Sequence, residues 1–243
     1  FQINGLHISD PSLDSEKSKQ WSLGFVWDIT PALSLTADYW RTKIDNVISS
    51  ITAQEVVDRD NGTSPLPIPA SLGIKRDPVS GAILQVTSGL ANEGDADYSG
   101  LDVSLRFQHE YASWGSFRHD LSVAHRLKAA VNGINELGTF GEPRQRVSLS
   151  NTWSIGSIDA TLNSNYISKN GDERGFAGGY TTHDIQLAYS PAAIKGMKVS
   201  VGALNVFEKL PALVGSPYDQ KPFNYYLYDA YGRQWYARLE QKF

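Results

Sequence analysis

Few side chains in this 243-residue chain are placed to do chemistry, and their spacing limits what they can do. Five histidines, His7, His109, His119, His125 and His183, are scattered along it. Only His119 and His125 share a face of one extended segment, and no acid or third ligand stands at metal spacing, so no metal centre is expected. Asp58-Arg-Asp60-Asn61-Gly62 invites a calcium reading. That loop, however, needs glycine one place later and glutamate at its twelfth position, where Pro69 stands, and a turn is the expectation. Glu93, Asp95 and Asp97 could hold a cation at a loop end, although a solvated acidic edge is the safer reading. The absence of cysteine removes disulfide and thiol chemistry. No catalytic constellation and no nucleotide or haem motif is present, so neither an enzyme nor a cofactor is expected. The chain does offer rings: Tyr218, Phe223, Tyr225, Tyr226 and Tyr228 crowd one stretch, where they could stack on a sugar or an aromatic solute or simply pack a loop tip.

The elements that carry these residues read as strands. The chain closes on Trp235-Tyr-Ala-Arg-Leu239-Glu-Gln-Lys-Phe243, with Trp235, Ala237, Leu239 and Phe243 on one face and Tyr236, Arg238, Glu240 and Lys242 on the other. Strict alternation describes a strand with one greasy and one wet surface. The same rhythm runs through Gln20–Ile29 and Leu33–Tyr39, joined at Thr30-Pro31-Ala32, and again from about Asp97 to Gln108. It continues around Phe117–Leu127, Arg144–Ile155, Ile158–Tyr166, Ile185–Tyr189 and Met197–Phe207. Nine strands are expected.

Their connections alternate short and long. The long ones cover about 49–93, 129–143, 168–179 and 208–224; within the first, Thr52-Ala-Gln-Glu55 resembles a capping box that starts one short helix. Aromatics on the greasy face collect near both strand ends. Trp27, Phe107, Phe117, Trp153, Tyr189 and Phe243 lie by the short turns, and Tyr39, Tyr98, Tyr166, Tyr180 and Tyr231 by the long loops. Short turns at one rim, long loops at the other and two aromatic girdles describe an antiparallel up-and-down transmembrane β-barrel in a bacterial outer membrane.

Composition agrees. The chain is 41% apolar and 20% charged, and lacks the roughly 18-residue apolar run of a spanning helix. A net charge of −4 argues against a nucleic-acid partner. The chain opens on Phe1 and its one methionine is Met197, so it is expected to be part of a longer product. An odd strand count points the same way, because single-chain bacterial barrels have even numbers.

Several segments carry a resemblance. Tyr228-Asp-x-Tyr231-Gly-Arg233 with the terminal Phe243 resembles the C-terminus of TonB-dependent receptors. Gly202-Ala-Leu-Asn205-Val-Phe207-Glu-Lys209-x-Pro211 is similar to that family's penultimate-strand motif. Ser99-Gly100-Leu101-Asp102, Gly138-Thr-Phe140-Gly-x-Pro143-Arg144, and Ser15-Glu-Lys-Ser18 followed by Leu23-Gly24-Phe25 resemble further recurring segments. One departure is Gln241, where the family's assembly signal usually has an apolar or aromatic residue.

The resemblance implies a 22-stranded barrel plugged by an N-terminal domain, with this chain (1–243) as the last nine strands and the plug outside it. It implies uptake of a scarce solute (ferric siderophore, cobalamin or oligosaccharide) across the outer membrane of a Gram-negative bacterium, energised by TonB through the plug. Lipid and the barrel-assembly machinery are further implied partners, with Trp235, Leu239 and Phe243 as the assembly signal. Arg106, Arg144, Arg146, Arg238 and Glu240 are candidates for contacts between wall and plug, because charges facing the lumen need partners or water. The rival readings are a small self-contained porin-like barrel, if a further strand lies in Ile74–Val86, and a soluble all-β carbohydrate-binding module.

Overall fold

The computed structural model describes residues 4–172, 175–213 and 223–242. In chain order the elements are β1 (Asn4–Ile8), β2 (Lys17–Thr30), β3 (Leu33–Asp45), β4 (Ile48–Ile51), α1 (Ala53–Asp60), β5 (Gly73–Arg76), β6 (Ile83–Asn92), β7 (Asp95–Tyr111) and β8 (Gly115–Val131). There follow β9 (Ile134–Asn135), β10 (Gln145–Ile155), β11 (Ile158–Ile167), β12 (Asn170–Asp172), β13 (Gly175–Ala177), β14 (Tyr180–Tyr189), β15 (Met197–Leu204) and β16 (Gln234–Gln241). They form two compact units. One takes the chain up to Gln20, Thr42–Asp97 and Ala130–Ile134; the other takes Trp21–Arg41, Tyr98–Ala129 and the chain from Asn135 onward.

The second unit is the wall. Its strands run β2-β3-β7-β8-β10-β11-β14-β15-β16, each beside its predecessor in the chain, which is up-and-down order, with β9 attached to β8. These are the nine strands expected from alternation, and the barrel is not closed, since β2 and β16 stand at the two ends of the path. Register carries the two faces across the wall without a slip. Leu121 lies opposite Leu149, Leu149 opposite Ser164, Ala160 opposite Leu187, Leu187 opposite Val201, and Val201 opposite Ala237. One residue along, Asp120, Ser150, Asn163 and Asp184 form a continuous polar row. A slip of one residue would turn every apolar side chain to the other side, so the period-two pattern itself fixes the pairing.

The apolar face is bare among the described residues. Leu23 is 73% exposed, Trp235 71% and Leu239 67%. A soluble sandwich would cover such side chains with a second sheet, so the carbohydrate-module reading loses its physical basis. Two turns at the tight rim need left-handed backbone: Gly156 joins β10 to β11 at φ 57°, and Gly115 opens β8 at φ 79°.

The first unit corrects the reading of 49–93 as a wandering loop. It holds a four-stranded sheet with β6 at its centre. Parallel β1 lines one edge of β6, while β5 and then β4 pair with it antiparallel. The expected capping box is present: Thr52 accepts from Glu55 N, and Glu55 accepts from Thr52 N at 2.7 Å. Helix α1 presses Val56 into a core with Ile51, Leu72, Val86 and Ala91. The further strand suspected in Ile74–Val86 is real, but β5 and β6 belong to this separate sheet, so the wall keeps nine strands and the self-contained barrel is not supported. Asp58 and Asp60, weighed as calcium ligands, end α1 instead; Asp60 pairs with Arg76, and Asp58 accepts from Gln54.

Candidate functional site at the loop side of the wall

Three connections converge at the loop ends of β10, β11 and β14. The hub is Asn170, 2% exposed. Its Oδ1 accepts from Gly141 N at 3.0 Å, and its Nδ2 donates to the Tyr228 hydroxyl at 2.9 Å. A buried amide is tolerable only when its donors and acceptors are satisfied, and here that requirement fixes the loop after β9, the β12–β13 hairpin and the final loop to one another. Gly171 N adds a bond to Gly138 O, and Gln145 N donates to Ser168 Oγ.

Around this hub Phe223, Tyr228, Tyr180 and Ala177 form a small core. The Tyr180 and Tyr228 rings meet edge-to-face at 5.0 Å, and the Tyr180 hydroxyl donates to Lys209 O. The five rings singled out as ligand contacts therefore have different placements. Phe223 and Tyr228 are buried in this packing, while Tyr225 and Tyr226 are exposed, Tyr226 to 90%. Tyr218 lies outside the described residues. Tyr180 is also corrected as a girdle residue: it pairs with Ile167 on the polar side of the wall and is buried.

Beside the hub opens a depression of about 590 Å³. Arg144, Lys169, Tyr166, Phe176 and Thr139 line it, together with Asn170. Two cations and two rings suit an anion with a flat or aromatic body, by charge and by stacking. A second depression of about 280 Å³, on the polar side of β11, β14 and β15, carries Asp184 and Asp229 and has the opposite charge.

The remaining wall candidates stand apart from these. Arg106 Nε donates to Asp120 at 2.9 Å, an acceptor shared with Arg118. Arg238 and Glu240 are neighbours on one face of β16 at 3.6 Å. Arg146 faces the same side, level with Ala124 and Ile167. Such exposed pairs contribute about 0–1 kcal/mol each, which leaves these charges available for other contacts. Of the assembly-signal residues, Trp235 and Leu239 stand on the bare apolar face beside Ala203 and Val199; Phe243 lies outside the described residues. Gln241 interrupts that face opposite Met197, and its amide caps Lys195 O at 3.1 Å.

The recurring motifs have local physical reasons. Asn205 sits at φ 47°, and its side chain bonds both Lys209 N and Lys209 O, closing the turn after β15. Arg233 donates to Val206 O, and Asp184 accepts from Asn205 N, so the turn is clamped from β14 and from the residue that precedes β16. Gly100 is flat because the Trp40 indole lies over it; a Cβ there would come within 2.6 Å of the ring. Sequence reasoning missed Asn170, Lys169 and Phe176; the polar-aromatic composition of 166–180 was the only signal for them.

Comparison with known proteins gives a family and a fold. A family model described as "TonB dependent receptor-like, beta-barrel" matches residues 1–206. No curated protein matches. Among solved structures, a mutant of the ferric enterobactin receptor PfeA from Pseudomonas aeruginosa superposes with TM-score 0.70 at 16% identity, over 98% of this chain and 32% of that one. The siderophore receptor PirA from Acinetobacter baumannii gives 0.66 at 14% identity, over 98% and 33%. The FrpB iron transporter from Neisseria meningitidis gives 0.63 at 12%, again over 98% and 33%. The chain thus spans about a third of the length of these proteins.

Proposed function

This chain belongs to the family of TonB-dependent receptor β-barrels, and from that premise we propose that it forms the closing wall of an outer-membrane receptor importing a ferric siderophore. The observation that carries the reading is the single-layer wall, with one bare apolar face for lipid and one polar face for a lumen. At its loop rim the depression lined by Arg144, Lys169, Tyr166 and Phe176 would receive an anionic, ring-bearing solute, and the exposed Tyr225 and Tyr226 would add stacking surface. Upstream strands and a plug complete the barrel in this reading. Arg106, Arg146, Arg238 and Glu240 meet the plug, and TonB acts through it. The barrel-assembly machinery reads Trp235 and Leu239 together with the terminal Phe243.

The siderophore is favoured over cobalamin or an oligosaccharide by the paired cations, because an anion gains charge-assisted contacts there that are roughly twice as strong as those of a neutral solute. Uptake of radiolabelled ferric siderophore by iron-starved cells tests this. Reversing both cations (Arg144→Glu with Lys169→Glu) is expected to cut uptake at least about tenfold, the loss of one to two charge-assisted contacts. Unchanged ferric uptake alongside lost cobalamin or oligosaccharide uptake would reassign the solute.

A further inference from the structure

The apolar face of the wall breaks its own pattern at one level, on two neighbouring strands. His119 of β8 and Asn151 of β10 stand opposite one another in the outward register, in phase with Leu121, Leu149 and Trp153. The imidazole Nδ1 lies 2.7 Å from Asn151 Oδ1. An amide oxygen only accepts, so Nδ1 carries the proton and donates. That bond leaves the imidazole Nε2 and both N–H groups of Asn151 Nδ2 without a partner among the described residues, and neither nitrogen is enclosed by protein. His109 Nδ1, also unpartnered, is enclosed and lies outside the depression described next. Polar groups left unpaired in hydrocarbon are costly and rare. A pair kept on this face needs a partner from outside the wall.

Beside the pair the face is hollowed by a depression of about 640 Å³. Its cause is in the register: Ala160 stands between Trp153 and Leu187, a short side chain among long ones. Phe117 and Trp153, their rings stacked at 6.4 Å, bound the depression together with Trp235. The other polar side chains at its edge are spent on the opposite face. The Thr152 and Thr161 hydroxyls bond each other, and Gln186 donates to the Tyr236 hydroxyl. Only His119 and Asn151 offer polar atoms to an occupant. A pure hydrocarbon would leave them unpaired, and a polar solute would leave the ring-lined hollow unfilled, so the occupant is an amphiphile.

Trp153 fixes the level in the membrane. Its indole N–H donates to Trp114 O in the β7–β8 turn at 2.6 Å, and aromatic girdles of this kind sit among the lipid headgroups. Asn151 is two residues further in, about 5 Å deeper on a strand tilted by about 45°. That is the boundary of headgroup and hydrocarbon, where a glycerophospholipid carries its ester carbonyls. We propose that the depression holds one glycerophospholipid of the turn-side leaflet. An acyl chain lies over Ala160 between Trp153 and Trp235, an ester carbonyl accepts from Asn151 Nδ2, and the imidazole Nε2 accepts from interfacial water. The proposal rests on the outer-membrane reading of the wall.

Native mass spectrometry of the purified, delipidated full-length receptor in detergent tests this. The probe is dioleoylphosphatidylethanolamine, and its match is the diether analogue, which lacks the ester carbonyls. The first diester lipid is expected to bind saturably and about threefold to tenfold tighter than the diether, the worth of one hydrogen bond in a membrane. Asn151→Leu restores the apolar pattern and is expected to erase that preference while keeping the diether affinity, which a misfolded receptor would not do. Ala160→Trp fills the depression and is expected to weaken both lipids. Equal binding of the two lipids by the wild type, an unchanged preference in Asn151→Leu, or unchanged affinity in Ala160→Trp would overturn the proposal. So would a receptor dimer that Asn151→Leu dissolves, which would give the pair to a second copy. Oxygen collision with a spin label on Leu162→Cys checks the premise separately: no collision there removes the lipid-facing reading, whereas normal collision with equal lipid binding removes the site alone.

Discussion

In the excursion unit Ile51 and Val56 are 2% and 0% exposed, while in the wall Leu23 and Trp235 are 73% and 71% exposed. Side chains of the same chemistry are treated in opposite ways within one chain. The excursion folds a helix onto a small sheet and removes its apolar groups from water, each such burial contributing about 1.5–3 kcal/mol. The wall makes no such layer and leaves its apolar face to a solvent that is itself apolar. The lesson is that a protein core and a lipid-facing surface are composed alike; pairing and layering tell them apart.

That contrast predicts which changes damage which unit. The largest effect is expected from Arg59→Met in the excursion, which leaves its ion-pair partner Glu93 charged and largely enclosed at a cost of about 3–5 kcal/mol. Limited proteolysis should then cut within 49–93 while the wall stays protected; loss of both together would mean that the two do not depend on separate interactions. Next comes a pair in the wall. Leu162→Arg puts a charge on the apolar face and is expected to cost about 2–4 kcal/mol and to impair insertion, whereas Asn163→Arg, one residue on and facing the polar row, should be nearly silent. Urea titration in lipid vesicles measures both.

How far the sequence disclosed these two regions follows from the kind of contact each uses. Wall strands such as β10 and β11 pair with their chain neighbours, so alternation alone placed Leu149, Trp153 and Leu162 on one face. The excursion relies on β1 pairing parallel with β6 across about eighty residues, and no local pattern announces that. Its four- and five-residue strands are too short for alternation to show, and only the Thr52–Glu55 box could be read directly. At the loop rim the stacking candidates were visible as aromatics. That Phe223 and Tyr228 would be buried depended on Asn170, Ala177 and Tyr180, which another loop supplies. The turn motif around Asn205 was readable as a motif, while its clamp by Arg233 and Asp184 needed the register.

Smaller effects sharpen the comparison further. Thr52→Ala removes the cap of α1 and should cost about 1 kcal/mol, seen as faster amide exchange in α1 with the wall unchanged. The β5–β6 turn should respond to acid. Hydrogen bonds from Ser80 N–H, the Ser80 hydroxyl and Val79 N–H hold the Asp77 carboxyl below its usual range. A lowered carboxylate pKa in the folded state means that its contribution is complete above about pH 4, the ordinary value, and is lost as the pH falls through the lowered one. Protection of the Val79 and Ser80 amides, measured against their intrinsic exchange rates, should therefore fall only at that acidic end; a loss of protection near neutrality would contradict the assignment.

The central claim is that one face of the wall meets lipid and the other water, residue by residue. This chain contains no cysteine, so single cysteines placed along β11 from Ala160 to Asn165 in the membrane-embedded receptor, with any cysteine outside this chain replaced by serine, can each carry a spin label. Collision with oxygen, which concentrates in lipid, should peak at 160, 162 and 164, and collision with a water-soluble nickel chelate at 161, 163 and 165. A flat profile, or both reagents excluded from the even positions by covering protein, would contradict it.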